Sequence, residues 1–177
     1  MALKILILYA TTHGATKVCA EKLAGAFGKK ADVFRAKNFS GDFTAYDCVI
    51  IGTPVYGGSV LKEIKEFCVT HSTALAHRAF AVFFSCLSET QESVDGYLKH
   101  NFPAELAEKA VACASFGGAF YFCRLNFLER GIDKLLAKAY AKSAGVAAPD
   151  GHTDFVTISD QKISDFAAKI QKAVDHC

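Results

Sequence analysis

The sequence predicts an α/β protein of three layers, with a five-stranded parallel sheet in the order 2-1-3-4-5 between helices on both faces. Three observations carry this expectation. Short apolar runs of strand length alternate along the chain with segments of helical spacing. Several of those runs are nearly continuous in apolar residues, as strands covered on both faces require. No internal repeat and no linker interrupts the alternation, so residues 1–177 read as one domain.

Leu3–Tyr9 is the first strand, and Cys19, Leu23, Ala26 and Phe27 then fall at helical spacing. Ala31–Arg35, entered from Gly28 at a helix end, is the second strand, and Asp47–Gly52 is the third. Helical spacing returns at Leu61, Ile64, Phe67 and Cys68. The fourth strand, Ala79–Ser85, leads into a polar loop, Ser88 to Glu92, and a helical piece near His100. The fifth, Ala110–Phe116, ends in Gly117-Gly118. Last comes an amphipathic helix with Ser159 as cap, Asp160 in its first turn, and Ile163, Phe166, Ala167, Ile170 and Val174 on one face.

Composition narrows the functional classes. At 177 residues, 51% of them hydrophobic, the chain can bury a single core and has none of the signature of disorder. Its longest apolar run, Ala79–Leu87, is half a membrane span at best, and the N-terminus reads as a strand rather than a signal peptide. The seven cysteines include no Cys-x-x-Cys pair and mostly sit in apolar runs, which predicts buried thiols in a reducing cytoplasm and no metal site. A net charge of +2 gives no reason to expect a nucleic-acid partner.

In a sheet of this order, ligands bind beyond the carboxyl ends of the strands near the point where the strand order reverses. Three loops would meet there. Thr11-Thr12-His13-Gly14-Ala15-Thr16 joins the first strand to the first helix, bringing free N–H groups and a positive dipole end to one point, which is an anion site. A plain strand–turn–helix with Thr12 or Thr16 as N-cap accounts for the same residues. No Lys or Arg lies inside the loop, so a bound dianion would be held by hydrogen bonds and the dipole; at ~1.5–3 kcal/mol per charged bond, about four or five suffice. The second loop, Gly52-Thr53-Pro54-Val55-Tyr56-Gly57-Gly58, combines a stiffening proline, an aromatic face and two glycines that permit unusual backbone or close approach. The third is Ser85-Cys86-Leu87-Ser88-Glu89. Other phosphate chemistries lack their residues: there is no G-x-x-x-x-G-K-[ST], no G-x-G-x-x-G and no Cys-x5-Arg, and the first and third strands do not end in the acids of a phosphoryl-receiving domain.

At these residues the chain resembles the flavodoxins. Thr11–Thr16 is similar to their FMN phosphate loop, Thr/Ser-x-Thr-Gly-x-Thr, with His13 in place of one threonine, and Gly52–Tyr56 is similar to the loop that offers an aromatic to the flavin ring. The resemblance implies a flavodoxin-like fold with FMN as cofactor. It implies that Thr11, Thr12, Gly14, Ala15 and Thr16 hold the phosphate through hydroxyls and amides, with His13 giving its amide. Thr53, Pro54, Val55, Tyr56, Gly57 and Gly58, with Ser85, Cys86, Leu87 and Ser88, would sandwich the isoalloxazine ring.

A helical insertion is expected after the fifth strand, at about residues 119–152. Leu125, Leu128, Ile132, Leu135, Leu136 and Ala139 form an apolar stripe there, and Arg130, Lys134, Lys138 and Lys142 a basic one. Such a helix suits either a core-packed element with a solvated basic face or a membrane surface. At ~1 kcal/mol per cation near anionic lipid, membrane contact would be weak and reversible.

With this insertion, including Gly118-Ala119-Phe120, the run through Arg124 and Phe127, and Gly151-His152-Thr153-Asp154, the whole chain resembles the menaquinone-dependent protoporphyrinogen IX dehydrogenases. That resemblance implies an FMN-dependent oxidoreductase passing electrons from a small-molecule reductant, protoporphyrinogen IX, to a quinone. The enzyme would be cytoplasmic, with peripheral contact on the inner face of the membrane. Two alternatives stay open: an electron carrier without its own substrate, and a NAD(P)H–quinone reductase. No residue stands out as a catalytic acid or base; His13, His71 and His152 read as ordinary polar histidines.

Overall fold

In β1 (Ile5–Tyr9) every side chain from Ile5 to Leu8 is buried, because alternate residues serve two different cores. Ile5 and Ile7 face one side of the sheet, Leu6 and Leu8 the other. The computed structural model describes residues 3–87, 90–121, 135, 138, 141, 142 and 153–175. The same alternation runs through β3 (Cys48–Tyr56), β5 (Ala79–Ser85) and, with one irregularity, β6 (Ala110–Ser115); the edge strand β2 (Ala31–Arg35) half-buries one face and exposes the other, and the short β4 (Ser59–Val60) folds back on β3. The order is β2-β1-β3-β5-β6, with all neighbours parallel. This is the expected 2-1-3-4-5 sheet, with β4 as an antiparallel addition.

The helices are α1 (Ala15–Phe27), α2 (Lys62–Thr70), α3 (Ser72–Ala76), α4 (Gln91–Asn101), α5 (Ala104–Lys109) and α6 (Asp160–Val174). Cys19, Ala20, Leu23 and Phe27 of α1 and Ile163, Phe166, Ala167 and Ile170 of α6 cover one face of the sheet. Ile64 and Cys68 of α2, Leu75 of α3, Val94 and Leu98 of α4 and Leu106 of α5 cover the other. Ser159 caps α6 as predicted, accepting from the Lys162 N–H at 3.2 Å.

Two boundaries differ from expectation. β3 continues through Thr53-Pro54-Val55-Tyr56, because β4 pairs with its far end and β5 pairs with it as far as Pro54. β6 stops at Ser115, but Phe116 remains in the core, its ring stacked on Phe83 at 4.7 Å and 8°. That stacking places Phe83 where a Cβ on Gly52 would be, 2.1 Å from the ring.

After β6 the chain forms β7 (Ala119–Phe120), which pairs antiparallel with β8 (Phe155–Val156). The two strands bracket the insertion. Within it, Leu135, Lys138, Ala141 and Lys142 are helical. Leu135 is 70% exposed and, at helical spacing, shares its face with the exposed Lys138 and Lys142, while Ala141 is fully buried. Of the two settings left open for the apolar stripe, packing on the core is therefore not the one that holds for Leu135. Arg124, Arg130, Lys134 and the rest of that stripe lie outside the described residues. No helix among the described residues is long and apolar enough to cross a membrane.

The described cysteines are free, with Cys19, Cys48, Cys68 and Cys86 buried and Cys113 partly so. Burial pushes the thiols of Cys19, Cys48, Cys68 and Cys113 up to about 12.

Candidate functional site

Strand order reverses between β1 and β3, and the first loop sits there, tied to β3 by the Ala10 N–H on the Gly52 carbonyl at 3.0 Å. The residue that opens α1 is Gly14, in the left-handed region at φ 101 with no side-chain cap bond. Neither Thr12 nor Thr16 caps the helix, so the cap expected of a plain strand–turn–helix is not formed. Instead Thr11 Oγ1 accepts from the Gly14 N–H at 2.9 Å and closes the turn. The amides of Thr12, His13, Ala15, Thr16 and Lys17 meet no acceptor among the described residues. A residue with a Cβ would be strained at Gly14. The turn is thus closed by Thr11 and Gly14 and not by a side-chain cap on the helix.

The Thr16 hydroxyl has a partner within the fold. The residue is fully buried, and its hydroxyl lies 2.7 Å from Ser85 Oγ, so it bolts the first turn of α1 to the end of β5. The first and third loops are joined through this pair. Cys86 is buried beside it, its carbonyl accepting from Ser115 Oγ at 3.0 Å, and Leu87 is half-buried. Ser88 and Glu89 lie outside the described residues.

The second loop is a hairpin arm. Thr53 and Pro54 are buried inside β3; Thr53 Oγ1 donates to the Pro54 carbonyl at 3.1 Å and accepts from the Leu61 N–H at 3.4 Å. Thr53 supports the arm from within. Val55 is half-buried, and Tyr56 at the tip is 51% exposed. Gly57 and Gly58 both have positive φ, 55 and 82, as a two-residue hairpin turn requires, and a Cβ on either would meet open space. Backbone conformation alone is enough to require these glycines.

Asn101, at the end of α4, fixes this arm from outside. Its amide donates to the carbonyls of Gly58 at 3.0 Å and Tyr97 at 2.9 Å, and its oxygen accepts from the Val60 N–H at 3.2 Å. An asparagine far along the chain from the hairpin carries no local signal of this role. Arg35 is the other residue that sequence reasoning missed. β2 and β1 pair in register at Tyr9 and Arg35, and Arg35 Nη2 donates to the Thr11 carbonyl at 3.3 Å. A cation therefore stands behind a loop that contains none.

The mouth of the insertion adjoins the third loop. A Cβ on Gly118 would lie 3.4 Å from Leu87 and 3.5 Å from Cys86. Gly117, at φ 89, admits the Thr157 carbonyl where a Cβ would lie, and Thr157 bonds both the N–H and the carbonyl of Gly118. The insertion thus opens from the same rim as the three loops.

Open amides on a glycine-opened helix, a buried Arg35 Nε with no partner, and an exposed tyrosine on a rigid arm fit a phosphomonoester that carries a flat ring. The profile of the flavodoxin domain family matches residues 6–144. The fold overlays on flavodoxin 2 from Bacillus cereus with a TM-score of 0.55 at 21% identity, covering 96% of this chain and 99% of that one. It overlays on the WrbA-like flavodoxin from Agrobacterium tumefaciens at 0.51 and 20%, covering 99% and 97%. On the rubredoxin oxygen:oxidoreductase from Desulfovibrio gigas the TM-score is 0.55 at 13% identity over 98% of this chain, which spans 36% of that longer protein. At these identities the likeness is one of fold. No curated protein matches the chain. With the family profile extending over most of its length, the chain belongs to the flavodoxin domain family.

Proposed function

We propose that this protein binds FMN and works as an FMN-dependent oxidoreductase, taking electrons from a small reduced substrate and passing them to a quinone. The observation that carries the reading is the Gly14 turn, where α1 opens on a left-handed glycine with no side-chain cap bond at the reversal point of the sheet. Thr11, Thr12, His13, Ala15 and the Thr16 amide would hold the phosphate, with Gly14 setting the turn. Thr16 and Ser85 would keep that loop in place, and Tyr56 would lie against the ring. When bound, the flavin supplies the redox chemistry. Each step takes two electrons and two protons from the substrate and reduces one quinone to a quinol, so a six-electron oxidation consumes three quinones.

Purified protein is expected to be yellow and to release FMN on denaturation. Colourless protein that takes up no added FMN would defeat the reading. Within it, Thr12→Ala is expected to weaken FMN binding more than Tyr56→Ala does, because charged hydrogen bonds at ~1.5–3 kcal/mol exceed a stacking gain of ~0.5–1.5 kcal/mol.

The substrate we assign is protoporphyrinogen IX, with a menaquinone as acceptor. What supports this is the insertion, which begins and ends at the rim of the site, and the sequence resemblance along it. Lys138, Lys142 and Leu135, exposed on one face, are suited to a weak contact with anionic lipid. Anaerobic turnover of protoporphyrinogen with a menaquinone analogue is the deciding assay. Absence of turnover, with FMN bound and rapid one-electron exchange with a small redox protein, would make the protein an electron carrier instead. Turnover supported by NAD(P)H would make it a nicotinamide–quinone reductase. Co-sedimentation with anionic but not neutral vesicles tests the lipid contact.

A further inference from the structure

The FMN reading leaves one charged residue without a role. Arg35 ends the edge strand β2, level with Tyr9 of β1. Strand alternation puts it with Ala31 and Val33 on the face covered by α1, whereas Asp32 and Phe34 point to the other face. Asp32 is engaged there by the Tyr46 hydroxyl at 2.9 Å. No carboxylate among the described residues lies within ion-pair distance of Arg35. Its guanidinium donates to the Thr11 carbonyl, and its Nε is buried without a partner. A half-buried guanidinium stays charged, and leaving it without a counter-charge costs free energy.

The Thr11 carbonyl and the Thr12 N–H are the two ends of one peptide unit. A cation donating to the oxygen polarises the amide and strengthens the N–H as a donor on the opposite side. We propose that Arg35 is a positioning and charge-compensating residue for the cofactor phosphate, acting through the Thr11–Thr12 peptide rather than by touching the phosphate. The inference rests on the FMN reading. It makes the loop, which contains no cation of its own, selective for a dianion over a neutral ligand of the same shape.

The test compares FMN with riboflavin, which has the ring and chain but no phosphate. Apoprotein is titrated with each by flavin fluorescence, as wild type, Arg35→Lys and Arg35→Gln, at low and high salt. Arg35→Gln keeps a donor for the Thr11 carbonyl and removes the charge. It is expected to weaken FMN binding about tenfold, leave riboflavin binding within about twofold, and lower the salt dependence of the FMN-to-riboflavin ratio. Arg35→Lys is expected to restore most of the ratio at low salt. Phosphorus NMR of bound FMN gives a second readout: the phosphate should protonate at higher pH in Arg35→Gln than in wild type. Equal loss for both ligands, or an unchanged ratio, overturns the inference while the FMN reading stands. A wild type that binds neither flavin overturns the reading and the inference together. Should Arg35→Gln fail to fold, Arg35→Met takes its place as the charge-removing variant, and an FMN-to-riboflavin ratio equal to wild type there overturns the inference.

Discussion

Phe83 can stack on Phe116 only because position 52 has no Cβ; an added methyl would sit 2.1 Å from the ring. Gly52→Ala must displace an aromatic held between two packed layers, and we expect a loss of at least about 1–3 kcal/mol in a urea titration. Gly57→Ala differs in kind. Its Cβ meets nothing, but φ stays at 55, so the cost is backbone strain of about 1 kcal/mol, with no repacking. A glycine-rich loop was legible in the sequence as an aromatic-bearing loop, but the reason for each glycine was not. Gly52 answers to a ring on the next strand, and Gly57 and Gly58 to a hairpin that the sequence reading took for a loop.

The elements that build the site are joined by polar contacts between distant segments. Thr16 and Ser85 form one buried pair, so their effects should not add. In a double-mutant cycle, Thr16→Val with Ser85→Ala is expected to cost less than the sum of the single changes, with a coupling of about 0.5–3 kcal/mol. Asn101→Ala would leave the Val60 N–H and the Gly58 carbonyl without their partner and is expected to destabilise by about 2–3 kcal/mol. Because it frees the arm that carries Tyr56, it should also weaken riboflavin binding, which an Arg35 change should not. The five parallel strands and their order were readable, because buried strands write continuous apolar runs and the helices between them write a period near 3.6. The anion turn was readable from Thr11 to Thr16 because its parts are contiguous. Arg35, Asn101 and the inward turn of Thr16 were not, since each depends on strand register or on a helix end that only the folded chain supplies. In the helical insertion, apolar spacing left core packing and surface exposure both open for Leu135, and only the folded chain places it on the exposed face with Lys138 and Lys142.

For the whole molecule, the buried thiols set an alkaline limit. In the unfolded chain a thiol ionises near 9.0, whereas Cys19, Cys48, Cys68 and Cys113 stay neutral in the fold to about 12. Between those values the unfolded state binds fewer protons than the native state, so stability is fully present below about pH 9 and falls as pH rises toward 12. Each such thiol steepens the fall by about 1.4 kcal/mol per pH unit at most. Urea midpoints measured from pH 8 to pH 10.5 should drop accordingly, and Cys48→Ala should flatten the drop by one thiol's share.

The stem formed by β7 and β8 has a consequence for the economy of the chain. Ala119 pairs with Val156 and Phe120 with Phe155, so everything between them leaves and returns at one point. Closing a loop of about 35 residues instead of about four costs roughly 2 kcal/mol of chain entropy. A variant with a tight turn joining Phe120 directly to Phe155 is therefore relieved of that entropic cost, and it should keep the parallel sheet and the flavin while losing turnover of protoporphyrinogen. The sheet and the excursion from it would then be separable inheritances: one holds the cofactor, and the other could be exchanged for a different excursion without rewriting the strands beneath it.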